Sequence, residues 1–147
     1  MTLVAKFVKY SLYPHTSANA MPTPDVLDLA QSFLSLTGSG RADVLGGEHF
    51  GERLSKAPGD MAYLVGVYPF ETDWPHWEMH PEGHEILVFL DGRLEMTLEE
   101  DGARRAVAVG PGETLIIPPG AWHIARIVEP GRMLGITYGD GTQHRPR

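Results

Sequence analysis

This chain predicts a mainly β fold, an antiparallel sandwich or barrel with one helix before it. Three observations carry the prediction. From Met61 onward short apolar segments recur at near-regular intervals, each bounded by Gly or Pro. No helical pattern interrupts them, which leaves antiparallel pairing as the way to join so many short strands. Within them Leu94, Met96 and Leu98 alternate with Arg93, Glu95, Thr97 and Glu99, the period of a strand with one wet face.

The elements follow in order. Between Thr23 and Gly38 the residues carry helix start and stop signals: Thr23 as N-cap, Pro24 at the first helical position, Asp25 against the dipole and Gly38 at the end. Val26, Leu27, Ala30, Phe33 and Leu34 fall on one helical face, so an amphipathic helix over about 23–38 is expected, packed on the β domain or on a second subunit. Gly, Ser and charge dominate from Gly38 to Asp60, the composition of loops around short strands. Met61 to Tyr68 is an apolar strand ended by Pro69. His84 to Leu90 is an unbroken apolar run after a polar start, as expected for a strand covered on both faces. Asp101-Gly102 is a hairpin turn leading to Ala106–Val109. Strands over Thr114–Ile117, His123–Val128 and Met133–Tyr138 complete the set. The organisation is therefore an N-terminal extension over residues 1–60, a β domain over 61–138 and a polar, glycine-rich tail over 139–147 that frays or folds over a neighbour.

Composition bounds the function. A chain of 147 residues suits one domain with a real core. Without cysteine, disulfides, thiol nucleophiles and zinc ribbons are excluded, and any metal must be held by His, Asp or Glu. The first ten residues have no sustained apolar run, so neither a signal peptide nor a membrane span is expected and the cytoplasm is the expected compartment. A formal net charge of -7 without a clustered basic stripe argues against nucleic acid and anionic membrane as partners. No Gly-x-Ser-x-Gly elbow, P-loop or dinucleotide fingerprint is present, which argues against serine hydrolysis and phosphoryl transfer.

Two motifs carry chemistry. Gly112-Glu113-Thr114-Leu115-Ile116-Ile117-Pro118-Pro119-Gly120-Ala121-Trp122-His123 joins an apolar strand, a Pro-Gly turn and a histidine. Upstream lies Glu78-Met79-His80-Pro81-Glu82-Gly83-His84-Glu85, with six residues between Glu85 and Gly92. The first resembles the second conserved motif of the cupins at every position but the last, where Ile127 replaces Asn. The second resembles their first motif in a degraded form, with Thr72 in place of the opening Gly and Glu78 in place of the first His. The resemblance implies a double-stranded β-helix, the jelly-roll cupin barrel, with a metal site inside.

Strand periodicity puts Glu78 and His80 on one face, with His76 at the same parity. After the Pro81-Glu82-Gly83 turn either His84 or Glu85 can face inward, and the family spacing selects Glu85. By the resemblance His80, Glu85 and His123 stand on three metal-ligand positions and Glu78 on the fourth. Two imidazoles and two carboxylates suit a divalent ion such as Mn, Fe, Ni or Zn, and the extra carboxylate tilts the set away from copper. Glu78 and Glu85 can also serve as catalytic acid and base without a metal. Trp74, Trp77 and Trp122 are packing residues or an aromatic mouth for a flat organic ligand.

The family includes dioxygenases, isomerases, epimerases, decarboxylases and hydrolases as well as sugar binders, sensory domains and storage proteins, and fold does not choose among them. The leading expectation is a small metal-dependent enzyme acting on a small organic molecule by dioxygenase- or isomerase-type chemistry. The alternative is a non-catalytic ligand-binding or sensory barrel, with or without metal, and a third is a decayed site kept for structure. A homodimer is expected, because cupins commonly pair and the N-terminal elements suit a neighbouring barrel's edge.

Overall fold

The computed structural model describes residues 26–45 and 61–147. Nine strands lie within them: β1 (Phe33–Thr37), β2 (Ala42–Leu45), β3 (Met61–Phe70), β4 (His76–Met79), β5 (Glu85–Glu100), β6 (Ala103–Val109), β7 (Thr114–Ile117), β8 (Trp122–Thr137) and β9 (Gln143–Pro146). All pairings are antiparallel, and they join the strands into one curled sheet with β8 at its centre.

Two long strands build the barrel. β5 and β8 pair along most of their length, and each faces different neighbours in its two halves. The first half of β5 pairs with β7 and the second with β6, while the start of β8 meets β4 and its end meets β3. Each segment that looks like two strands in sequence is thus one strand with a corner. The corner of β5 falls at Gly92, where the register with β8 shifts between Phe89 and Leu94. Gly92 has φ +75°, and a Cβ there would lie 2.6 Å from the Cα of Gly131 and 2.7 Å from the carbonyl oxygen of Glu129. Only glycine lets the two bent strands approach so closely.

Alternation decides the interior. Glu85, Leu87, Phe89, Leu94, Met96 and Leu98 of β5 point inward, and Phe70, Val109, Leu115, Ile117, Ala121, Ala125 and Met133 close the same core. The apolar run from Ile86 to Leu90 is not covered on both faces as its composition suggested. Ile86 and Val88 are half-buried and Leu90 is exposed, as is the neighbouring Ile116. An antiparallel sheet needs only one dry face, and apolar side chains on the other are tolerated.

The N-terminal helix is a second correction. Residues 23–25 lie outside the described part, but residues 29–31 form a turn and Phe33–Thr37 form a strand, and no helix occurs among the described residues. Leu34 pairs with Val65 of β3 on one side and with Val44 of β2 on the other. Those ladders satisfy the backbone without a helix, so tertiary pairing overrides the local cap signals, and the apolar face expected of the helix is left half-buried at Phe33 and Leu34 and exposed at Val26. At the other end the tail is ordered, since β9 pairs residue by residue with β4. Among the described residues no helix is long and apolar enough to cross a membrane.

Candidate metal centre

Three strands and one turn deliver the four expected residues to one place. Glu78 lies on β4, directly across from His123 at the start of β8. His80 follows β4 and is tied to the Pro-Gly turn before β8, because its carbonyl oxygen accepts from the amide of Gly120 at 2.9 Å. Glu85 opens β5, opposite Thr137, whose hydroxyl donates to Glu85 Oε1 at 2.8 Å. Glu78, His80, Glu85 and His123 are all buried, with His123 fully sealed from solvent. His84 and His76 are exposed and stay outside this group.

The distances define a cluster. His123 Nε2 lies 3.0 Å from Glu85 Oε2, and His80 Nε2 lies 3.5 Å from Glu85 Oε1 and 3.9 Å from Glu78 Oε1. Ligand atoms of Glu78, His80 and His123 all fall within 4.8 Å of one another. Glu85 joins them by reaching one imidazole with each of its oxygens.

Proton bookkeeping says what the cluster needs. His123 Nδ1 donates to the carbonyl oxygen of Ala121 at 3.1 Å, because a carbonyl can only accept. The Nε2 atoms of His80 and His123, Oε1 of Glu78 and Oε2 of Glu85 are all buried without a hydrogen-bond partner. Buried polar atoms are rarely left this way, since each costs about 1–3 kcal/mol of desolvation. Two carboxylates facing two imidazole nitrogens at 3–4 Å call for a cation between them. A proton can serve: burial by itself would lower His123, but the Glu85 carboxylate reverses this and holds its pKa above the usual 6.5. Burial likewise would raise Glu85, and its contacts with His123 and then His80 hold it far below the ordinary carboxylate range. A divalent ion would satisfy the facing atoms of Glu78, His80 and His123 together, with Glu85 beside both imidazoles, and imidazoles and carboxylates are donors it accepts. The residues fit a metal.

Neighbouring side chains complete the environment. Trp74 packs edge-on against His123 with ring centroids 6.0 Å apart. Trp77 and Trp122 do not line the cluster as a mouth. Arg145 stacks its guanidinium over both rings, 4.8 and 4.5 Å from their centroids, and Arg104 covers Trp77 at 5.0 Å. Sequence reasoning missed four polar residues. Tyr68, on the inward face of β3, has its phenol pKa pushed up by burial and by the charges of Glu85 and Glu78, so its hydroxyl keeps its proton. Thr137 supports Glu85, Thr142 meets His80 Nδ1 at 2.9 Å, and His144 Nε2 lies 3.3 Å from Glu78 Oε1. The inward parity of Tyr68 and Thr137 was open to the alternation rule, whereas nothing in the sequence near Thr142 and His144 points to this site.

A curled antiparallel barrel with inward-facing histidines and carboxylates is the architecture of the cupins. The cupin domain model matches residues 63–137, half of the chain, and the protein belongs to that family. The chain is 33% identical over 67 residues to the acireductone dioxygenases of two strains of Rhodopseudomonas palustris, TIE-1 and CGA009. That match covers 46% of this chain, and the chain spans 40% of the length of those relatives. Among solved structures, oxalate decarboxylase from Bacillus subtilis is similar with a TM-score of 0.48 at 20% identity, over 59% of this chain and 24% of that one. An iron(II) form of HppE bound to the alternative substrate (S)-1-HPP is similar with a TM-score of 0.45 at 14% identity, over 52% and 43% of the two chains.

Proposed function

We propose that this protein is a small metal-dependent cupin that acts on a small organic molecule by dioxygenase- or isomerase-type chemistry. The observation that carries the reading is the buried cluster of two imidazoles and two carboxylates whose facing atoms have no hydrogen-bond partners. The partial likeness to acireductone dioxygenases supports the dioxygenase side of it. Glu78, His80, Glu85 and His123 would hold the ion, and an ion bound there supplies Lewis acidity to a carbonyl or enediol oxygen, or oxygen chemistry if it is iron.

The chain's own residues have defined tasks in this reading. His123 keeps its ring aimed through the Ala121 carbonyl, and deprotonated Nε2 would be the atom that holds the ion. Thr137 steadies Oε1 of Glu85. Tyr68 keeps its proton and can donate to an oxygen that gains charge, and only without an ion would Glu78 and Glu85 be available as acid and base. A homodimer in the cytoplasm is the working form that goes with this proposal.

One observation favours a second reading. The donors are nearly sealed, at 0–8% side-chain exposure, which also suits a barrel that captures a metal or ligand without turnover. Elemental analysis of tag-free protein grown with each of manganese, iron, nickel and zinc tests the metal site. Near-stoichiometric metal that disappears in His80→Ala and His123→Ala supports it, and absence of metal under every condition rejects it. Oxygen uptake or isomerisation of aliphatic enediols by the loaded protein then separates enzyme from binder.

A further inference from the structure

The segment after Tyr138 reaches two of the four candidate ligands. β9 pairs with β4 so that His144 stands directly across from Glu78, on the side of β4 opposite His123. Its Nε2 lies 3.3 Å from Glu78 Oε1, and both atoms are buried without a hydrogen-bond partner. Just before β9, Thr142 Oγ1 lies 2.9 Å from His80 Nδ1. A threonine hydroxyl has one proton, and this one goes to the carbonyl oxygen of Gly139 at 2.8 Å. Thr142 Oγ1 must therefore accept from His80 Nδ1–H, which leaves the lone pair of His80 on Nε2, the atom that faces the cluster.

The segment is held in place by its own contacts. Gly141 has φ +68°, and a Cβ there would come within 3.0 Å of Pro81, so the turn seats itself beside His80. Arg145 donates to Glu99 at 2.8 Å while lying between Trp77 and Trp122, and Arg147 reaches Asp73 at 3.4 Å.

We infer that the turn and strand from Gly139 to Pro146 are a working part of the metal site, with Thr142 and His144 as positioning residues. Thr142 holds His80 in the tautomer that can ligate. His144 restrains Glu78, the carboxylate that stands where the family has a histidine, through the 3.3 Å charge contact of Nε2 with Oε1 and not through a hydrogen bond. This inference rests on the metal reading above. It follows from the difference between the two side chains: a glutamate has more rotatable bonds than an imidazole, so it needs an outer partner to present one oxygen in a fixed direction. Partners of this kind set both the orientation and the basicity of ligands.

The test uses the full chain and Mn(II) alone, with affinity measured by calorimetry and the ion's environment by electron paramagnetic resonance. Thr142→Val and His144→Phe are expected to weaken Mn(II) binding about 10- to 100-fold each and to change the spectrum. Thr142→Ser keeps the acceptor and is expected to restore most of the affinity. Wild-type affinity and spectrum in both Thr142→Val and His144→Phe, with binding lost in His123→Ala, would overturn this inference and leave the metal reading standing. An equal loss in Thr142→Ser and Thr142→Val would mark a packing effect and count against it too. No Mn(II) uptake by the wild type would remove the inference, and the elemental analysis with the other metals would then say whether the metal reading falls with it.

Discussion

At the scale of single residues, the chemistry rests on where two protons sit. His123 uses Nδ1–H on a carbonyl and faces Glu85 with Nε2, so metal and proton compete for the same nitrogen. The metal-free protein should show this in its stability. The raised pKa of His123 contributes stability that is complete below 6.5 and is lost as pH rises through the folded value. The depressed pKa of Glu85 contributes stability that is present above 4.5 and is lost as pH falls towards the folded value. Thermal melts of metal-free protein are therefore expected to peak between pH 4.5 and 6.5 and to decline on the alkaline side. Saturating Mn(II) should remove the alkaline decline, and metal affinity should rise with pH. An alkaline slope that survives in His123→Gln would show that another group causes it. His123→Ala is expected to lose metal outright, because it removes one of the two imidazoles proposed as ligands.

At the scale of elements, the corner of β5 and the packing around it set the shape of the barrel. Gly92 and Gly102 both have positive φ, +75° and +78°, but a Cβ at Gly92 would strike the Gly131 backbone while one at Gly102 meets open space. Gly102→Ala should therefore cost about 1 kcal/mol of backbone strain, and Gly92→Ala at least about 3 kcal/mol, measured by urea unfolding. Equal costs would mean that β8 moves aside freely. Leu98 is fully buried and pairs across from His123, so Leu98→Ala should cost about 2–5 kcal/mol and loosen the imidazole as well. The sequence reading of elements was accurate where alternation was strong. Thr114–Ile117 and the Asp101-Gly102 hairpin came out as expected, with φ +51° at Asp101 and +78° at Gly102. It divided β5 and β8 in two because a corner in a long strand and a turn between two short ones share the same Gly and Pro signals.

At the scale of the whole molecule, the sheet curls so that residues far apart in sequence converge. Glu78 has His123 on one side and His144 on the other, a row drawn from three strands. The exposed apolar residues Leu90 and Ile116 lie on the opposite, outward face of this sheet. A homodimer is expected in solution, with light scattering at micromolar protein giving about twice the 16.2 kDa of one chain. A mass near that of one chain would remove that proposal.

The β class and the alternation of the core strands were legible along the chain, since strand parity is a local property, and the resemblance to the cupin motifs pointed to the four clustered residues. Strand parity left His84 and Glu85 open and the cupin motif spacing selected Glu85; the structure buries Glu85 and exposes His84. Tertiary structure decided the rest. Phe33–Thr37 became a strand because β2 and β3 offered ladders that no local signal announces. Thr142 and His144 reached the cluster because β9 pairs with β4, two segments more than sixty residues apart at the Thr142–His80 contact. Pairing partners so distant in sequence are selected by the closure of the sheet, and closure is a property of the whole chain.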